Sequence, residues 1–233
     1  MSSVIQVTSV NYPESDGRPM GETDEHRKEM IRQMELLERF FAGQMVYVSG
    51  DLLVYYEQGN PKRFVVPDVF VVKELEPRDR RIYKLWVERK PPDVVLEVTS
   101  RKTKKMDSVT KPRLYQRLGV KEYFLFDPTQ DYLDPPLQGH RLVTGQYVSI
   151  AADARGRLES CELGLHLGAE HRQLMFYRAD TGERLLTEKE ARLAAERARS
   201  DAEQARSDAE RARQAAETEV ARLREQLRRL GAL

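Results

Sequence analysis

Two stretches decide how this chain folds: RFVVPDVFVV from Arg63 to Val72, and DVVLEVTS from Asp93 to Ser100. Each is a short, β-branched, nearly unbroken apolar run, the pattern of a strand covered on both faces. Each is also interrupted by one acid, Asp68 in the first and Glu97 in the second. An ionised carboxylate buried without a partner is strongly unfavourable, so such a group either keeps its proton or is matched by a cation. Taken singly, Asp68 reads as a turn acid after Pro67 and Glu97 as the partner of a local arginine. Taken together in neighbouring strands, they are expected to converge on one point. A hard divalent cation with oxygen ligands, Mg2+ or Mn2+, would satisfy both charges there.

Working outward, RKTKKMDS leads into a helix through Lys111 to Leu118 that Gly119 closes, and KEYFLFD follows as the next strand. Upstream, the spacing predicts a helix from about Thr23 to Ala42, with Thr23 as N-cap, Asp24 and Glu25 in its first turn, Met30, Met34, Leu37 and Phe41 on its inner face, and Gly43 as its stop. MVYVS and LLVYYE flank Ser49-Gly50-Asp51 as a hairpin would. Downstream, GHRLVTGQYVSI and RGRLESCELGLHL alternate around Gly145 and Gly156 as a β-meander. The expected class is α/β, a mixed α+β sheet with a meander on its flank.

Composition changes near residue 186. From Glu188 to Leu230 there is no glycine, proline or aromatic residue, which predicts one long exposed helix. Ala191, Ala198, Ala205 and Ala212 form one stripe, with Ala195, Ala202, Ala209 and Ala216 beside it. That is the 3-4 seam of a coiled coil. Val220, Leu223, Leu227 and Leu230 continue it after a four-residue step, the mark of a stutter, and Gly231 stops the helix. The chain is thus divided into an N-terminal arm (1–21), a globular domain (22–185) and a coiled-coil helix (186–233). The tail is expected to join a second copy as a homo-oligomer, most simply a dimer, or to take a partner helix through residues 188–230, with packing of the alanine seam against its own domain as the other alternative.

With 39 basic and 38 acidic side chains the net charge is +1, so any attraction to nucleic acid has to be local. A local basic run exists: Arg101, Lys102, Lys104, Lys105, Arg113 and Arg117 surround Lys111, the footprint expected for a phosphate backbone. Lys111 is placed in the first turn of its helix, with Ser108 or Thr110 capping, where an ammonium could orient a water beside a metal; a solvated helix-start lysine is the plainer alternative. Cys161 is the only cysteine, which excludes an internal disulfide and a thiolate zinc cluster and fits a reducing cytoplasm; it is expected to be buried. No stretch is long and apolar enough for a membrane span, and the first ten residues lack a secretory signal's basic and apolar regions. No nucleophile elbow, phosphate loop or dinucleotide fingerprint is present, the four histidines are dispersed, and Trp86 is expected to pack its basic connector against the sheet.

The order VPDVFVV, DVVLEVTS, an acid, Lys111-x-x-x-Tyr115, Leu-Gly-Val and EYFLFDP resembles the Uma-two family, grouped with bacterial restriction endonucleases in the PD-(D/E)xK nuclease superfamily, over roughly residues 22–185. The resemblance implies a restriction-endonuclease-like core and a Mg2+- or Mn2+-dependent endonuclease acting on DNA. It matches Asp68 and Glu97 to the family's metal-binding acids, with the Val98 carbonyl completing the metal shell. Ser100 matches the motif serine, Asp107 the acid before the lysine, Tyr115 the tyrosine after it, and Asp127 and Pro128 the end of the next strand. The superfamily's usual lysine two residues after the glutamate is Thr99 here, and Lys111 on the following helix stands in for it. His26 and Glu29 fall in the N-terminal helix, from which superfamily members often add an acid. Against the nuclease stands a binding or adaptor protein with a vestigial nuclease fold that assembles through its tail.

Overall fold

A computed structural model describes residues 10–15, 23–100 and 103–229. The chain divides into two compact units, one through Leu185 and one from Leu186. The first opens with α1 (Asp24–Phe40), then β1 (Val46–Ser49), β2 (Val54–Tyr55), β3 (Phe64–Val65), β4 (Val69–Lys73), β5 (Tyr83–Lys84) and the single turn α2 (Leu85–Glu88). After these come β6 (Val94–Val98), a π-helical turn over Met106–Thr110, α3 (Lys111–Leu118) and β7 (Glu122–Phe126). The unit ends with β8 (Leu137–Val143), β9 (Gln146–Ser149), β10 (Leu158–Ser160), β11 (Leu165–Glu170) and β12 (Gln173–Arg178). The main sheet has the order β1-β4-β6-β7-β8-β9, in which only β6 and β7 run parallel. Parallel neighbours need a crossover, and the π turn with α3 supplies it.

Every residue of β6 and β7 is buried, as continuous apolar runs require. The pleat sorts them between two cores. Val69, Val71, Val94, Leu96, Phe124 and Phe126 pack with α1 and with the antiparallel sheet β10-β11-β12. Phe70, Val72, Val95, Tyr123 and Leu125 face the other way, toward Tyr115 of α3 and toward Val54, Val65 and Tyr83 of the small sheet β3-β2-β5. By the same period of two, Glu97 falls on the Val95 side, beneath α3.

Several local expectations are corrected. Ser49-Gly50-Asp51 is not a hairpin turn: β1 pairs with β4, and β2 pairs with β3 and β5. The segment instead carries the chain from one sheet to the next, and the Asp51 N–H donates to the Pro67 carbonyl at 3.0 Å. Gly50 is there for close approach, since a Cβ would lie 2.1 Å from the Asp68 carbonyl oxygen. Gly50→Ala is therefore expected to destabilise the domain by about 1–3 kcal/mol through overpacking, measurable by urea denaturation; wild-type stability would show that the Asp68 bend yields freely.

RFVVPDVFVV is two strands, not one, because Pro67 and Asp68 form a bend between β3 and β4. In α1, Thr23 caps as expected, its Oγ1 accepting from the His26 N–H at 3.2 Å, but the buried face is His26, Glu29, Gln33, Leu36 and Leu37. Met30 and Met34 are only partly buried against the first core. The helix ends at Phe40, before Gly43. Cys161 is exposed in the turn after β10, its N–H bound to Glu122 Oε1 at 3.0 Å while its side chain faces outward. Trp86 is half-buried and packs on Tyr12, with ring centroids 5.2 Å apart.

The second unit is α4 (Glu188–Arg229), a 42-residue helix with no buried residue. Thr187 and Glu190 open it as a capping box: the Glu190 N–H donates to Thr187 Oγ1 at 3.3 Å, and Glu190 Oε2 accepts from the Thr187 N–H at 2.9 Å. Leu230 and Gly231, the expected end of the seam and its stop, lie outside the described residues. Among the described residues no helix is long and apolar enough to cross a membrane.

Candidate active site

The register Val69↔Leu96 between β4 and β6 sets Asp68 and Glu97 opposite each other at one end of the strand pair. Their main chains and side chains interlock: the Val98 N–H donates to Asp68 Oδ2 at 2.7 Å, and the Asp68 N–H donates to Glu97 Oε2 at 3.2 Å. Each acid is therefore fixed by the other's strand. Across from them, the Lys111 ammonium donates to Glu97 Oε2 at 2.7 Å and lies 3.1 Å from Asp107 Oδ1. One turn further along α3, the Tyr115 hydroxyl donates to Glu97 Oε1 at 2.8 Å.

The helical stretch that delivers Lys111 starts earlier than the sequence suggested. Neither Ser108 nor Thr110 caps it: Lys104 already begins a helical turn, the π turn runs straight into α3, and Thr110 has helical φ and ψ with no capping side-chain bond. The Lys111 N–H returns to the Met106 carbonyl, five residues back. A turn widened by one residue re-aims the side chains that follow it. Here it lets Asp107 point inward, where the Thr99 hydroxyl donates to its Oδ2 at 3.2 Å, while Lys111 still reaches Glu97. Lys111 is 14% exposed, so it is not the solvated helix-start lysine of the plainer reading.

Sequence reasoning missed the role of one residue. His26 Nε2 lies 3.1 Å from Asp68 Oδ2, reaching the site from α1. The available signal was the polar stripe His26, Glu29, Gln33 at spacings of three and four on an otherwise core-facing helix. Glu29 does not join the acids. It binds the Leu174 N–H at 2.8 Å and Gln33 Nε2 at 3.1 Å, tying α1 to β12, and burial raises its carboxyl, which nearby Arg32 only partly offsets.

The cluster holds three carboxylates against one ammonium, and the protonation of Asp68 and that of Glu97 depend on each other. Burial raises the Glu97 carboxyl to about 8, with the Asp68 and Asp107 charges adding to the rise and Lys111 opposing it. Burial also acts against the Asp68 charge, but the His26 hydrogen bond, the Lys111 ammonium and the Val98 N–H outweigh it and hold this carboxyl below the ordinary range. Lys111 keeps its proton more firmly than an ordinary lysine, since Glu97, Asp68 and Asp107 overcome its desolvation. The leftover proton thus belongs to Glu97, the fully buried member.

Among the described residues no three His, Cys, Asp or Glu side chains form a ready-made metal cluster. A divalent cation of the magnesium class does not require one, because it binds through one or two carboxylates and keeps several waters. The donor set fits: the oxygens are hard, the cluster carries surplus negative charge, and Asp68 remains 19% exposed.

The other expected positions are not drawn into this cluster. Ser100 binds Thr103, its Oγ 3.1 Å from Thr103 Oγ1, and so begins the helical stretch. Lys104, Lys105, Arg113 and Arg117 are exposed along it. Arg101 and Lys102 lie outside the described residues. Asp127 accepts the N–H groups of Thr129, Gln130, Tyr132 and Leu133, so it pins the loop after β7.

Comparison with known proteins gives the family. The family described as "Putative restriction endonuclease" (Uma2) matches residues 10–189. No curated protein matches the chain. A solved structure from Anabaena variabilis, described as "a putative nuclease belonging to DUF820", superimposes with a TM-score of 0.49 at 14% identity, covering 70% of this chain and 92% of that one. The core is a mixed α/β sheet with a crossover helix between its two parallel strands, and with 180 consecutive residues inside the match the chain belongs to the Uma2 family.

Proposed function

We propose that this protein is a metal-dependent endonuclease that hydrolyses phosphodiester bonds in DNA. The observation that carries this reading is the convergence of Asp68, Glu97 and Lys111 in one electronegative cluster that is partly exposed at Asp68, delivered by two adjacent strands and one helix. Asp68, Glu97 and the Val98 carbonyl would hold Mg2+ or Mn2+. Bound there, the ion lowers the pKa of a coordinated water and offsets charge developing on the phosphoryl group. Asp68 is kept ionised by its donors and is ready to ligate. Glu97 would serve as a ligand in its ionised form, and Tyr115 and the Asp68 N–H fix its orientation. Lys111, protonated and tethered to Glu97, offers N–H donors to the attacking water and to the scissile phosphate. Lys104, Lys105 and Arg113 would track the phosphate backbone, with Arg101 and Lys102.

One observation favours a second reading, a nuclease fold kept for binding. Thr99 stands where the superfamily carries its lysine, and its hydroxyl bonds to Asp107 and supplies no cation beside Asp68 and Glu97. Supercoiled plasmid incubated with Mg2+ or Mn2+ discriminates between the two. Nicked and linear products that disappear in EDTA are expected. Plasmid left intact by the wild type across several divalent metals would overturn hydrolysis and favour binding.

A further inference from the structure

We propose that two copies of this chain pair through α4 as a parallel, in-register coiled coil. A helix of 42 residues with no buried residue gains little stability from packing within its own chain. Its larger seam residues are left open: Val220 and Leu223 are 47% exposed and Leu227 is 46%. A seam alone does not say what covers it. The flanking charges do.

The seam advances by four residues from Ala198 to Ala202 and by three from Ala202 to Ala205. In a heptad the d-to-a step is four and the a-to-d step is three. Ala191, Ala198, Ala205 and Ala212 are therefore d, and Ala195, Ala202, Ala209 and Ala216 are a. The flanking e positions are then Arg199, Arg206 and Arg213, and the flanking g positions include Asp201 and Asp208. Beyond the stutter, Val220 and Leu227 take a and Leu223 takes d, which makes Glu219 a g residue and Arg224 an e residue. All these e positions are basic, and all these charged g positions are acidic.

That division specifies both partner and direction. In a parallel pair each g residue meets the e residue five positions later on the other helix. Asp201 would meet Arg206, Asp208 would meet Arg213, and Glu219 would meet Arg224, with each pair occurring twice by symmetry. The third pair is restored only because the stutter shifts charge and seam together. In an antiparallel pair e meets e and g meets g, setting arginine against arginine and acid against acid. A register shifted by one heptad keeps some acid–arginine matches but loses those of Glu219 with Arg224 and sets the two stutters out of step. The helix is thus self-complementary in one arrangement, which calls for no foreign partner.

Light scattering on the full chain should give twice the 27.0 kDa chain mass. Direction is read by oxidation in a Cys161→Ser background, because Cys161 is exposed. Ala191→Cys and Leu227→Cys, near opposite ends of α4, are each expected to form a disulfide with their own copies, since facing seam residues approach within bonding range. A mixture of the two, one carrying a tag, should give no mixed disulfide. A mixed disulfide without the self-linked species would establish an antiparallel pair and overturn the proposal, as would a monomer mass for the wild type. Replacing Asp201, Asp208 and Glu219 together by arginine should weaken association at least about tenfold by turning attraction into repulsion. Undiminished association in that variant would equally overturn it.

Discussion

Glu97→Gln and Asp68→Asn should each lower DNA cleavage by roughly 10²–10³-fold or more, with the Glu97→Gln fold at least as stable as wild type. The amide keeps the shape of the carboxylate and can still accept from Lys111, yet it carries no charge with which to hold a cation. The pH dependence follows from the position of Glu97. Its carboxyl is raised from 4.5 to about 8 by burial, so the folded protein prefers it protonated. The stability this contributes is fully present below about pH 4.5 and is lost as the pH climbs toward 8. Asp68 has the opposite shift, lowered by His26 and Lys111 against burial, and its contribution, gained above the ordinary aspartate range, is constant through that window. In EDTA the wild-type melting temperature should therefore fall between pH 5 and about 8, and Glu97→Gln should flatten that slope. Saturating Mn2+ should flatten it in the wild type as well, because the ion favours the ionised form. A Glu97→Gln enzyme cleaving at the wild-type rate would remove Glu97 from the chemistry.

Much of this site was legible in the sequence because burial and charge conflict visibly there. Two acids inside apolar strands carry a contradiction that only convergence resolves, and the register of β4 on β6 places them together. The β6–crossover–β7 unit was readable for the same reason, as both strands are unbroken apolar runs ending in turn residues. What the sequence hid was the consequence of backbone approach. Ser49-Gly50-Asp51 has hairpin composition, but Gly50 is required by the Asp68 carbonyl, a contact eighteen residues away in sequence that no local pattern encodes. The π turn was hidden likewise, since one extra residue in a helical turn leaves composition unchanged. His26 was discounted because a lone histidine on a helix usually packs, and its partner Asp68 lies on another element. Cys161 misled because cysteines are mostly buried, whereas this one occupies a turn whose backbone is held by Glu122.

Lys111→Met should separate the two roles of the lysine. The substitution keeps the apolar stem and removes the ammonium that faces Glu97 at 2.7 Å and Asp107 at 3.1 Å. Breaking a buried ion pair by removing one partner typically costs about 3–5 kcal/mol, because the remaining charge is buried without compensation. The loss should be largest near pH 8 in EDTA, where wild-type Glu97 is ionising. It should shrink toward pH 6, where Glu97 holds its proton. Millimolar Mn2+ supplies the missing positive charge and should restore most of the melting temperature. It should not restore cleavage, because the ion balances the carboxylates without providing a donor to the water and the phosphate. Recovery of both stability and cleavage would reduce Lys111 to a counter-ion. Equal stability of the variant at pH 6 and pH 8 would instead show that the cluster's charge is balanced by something other than this lysine, and the electrostatic basis of the site would have to be rebuilt around His26.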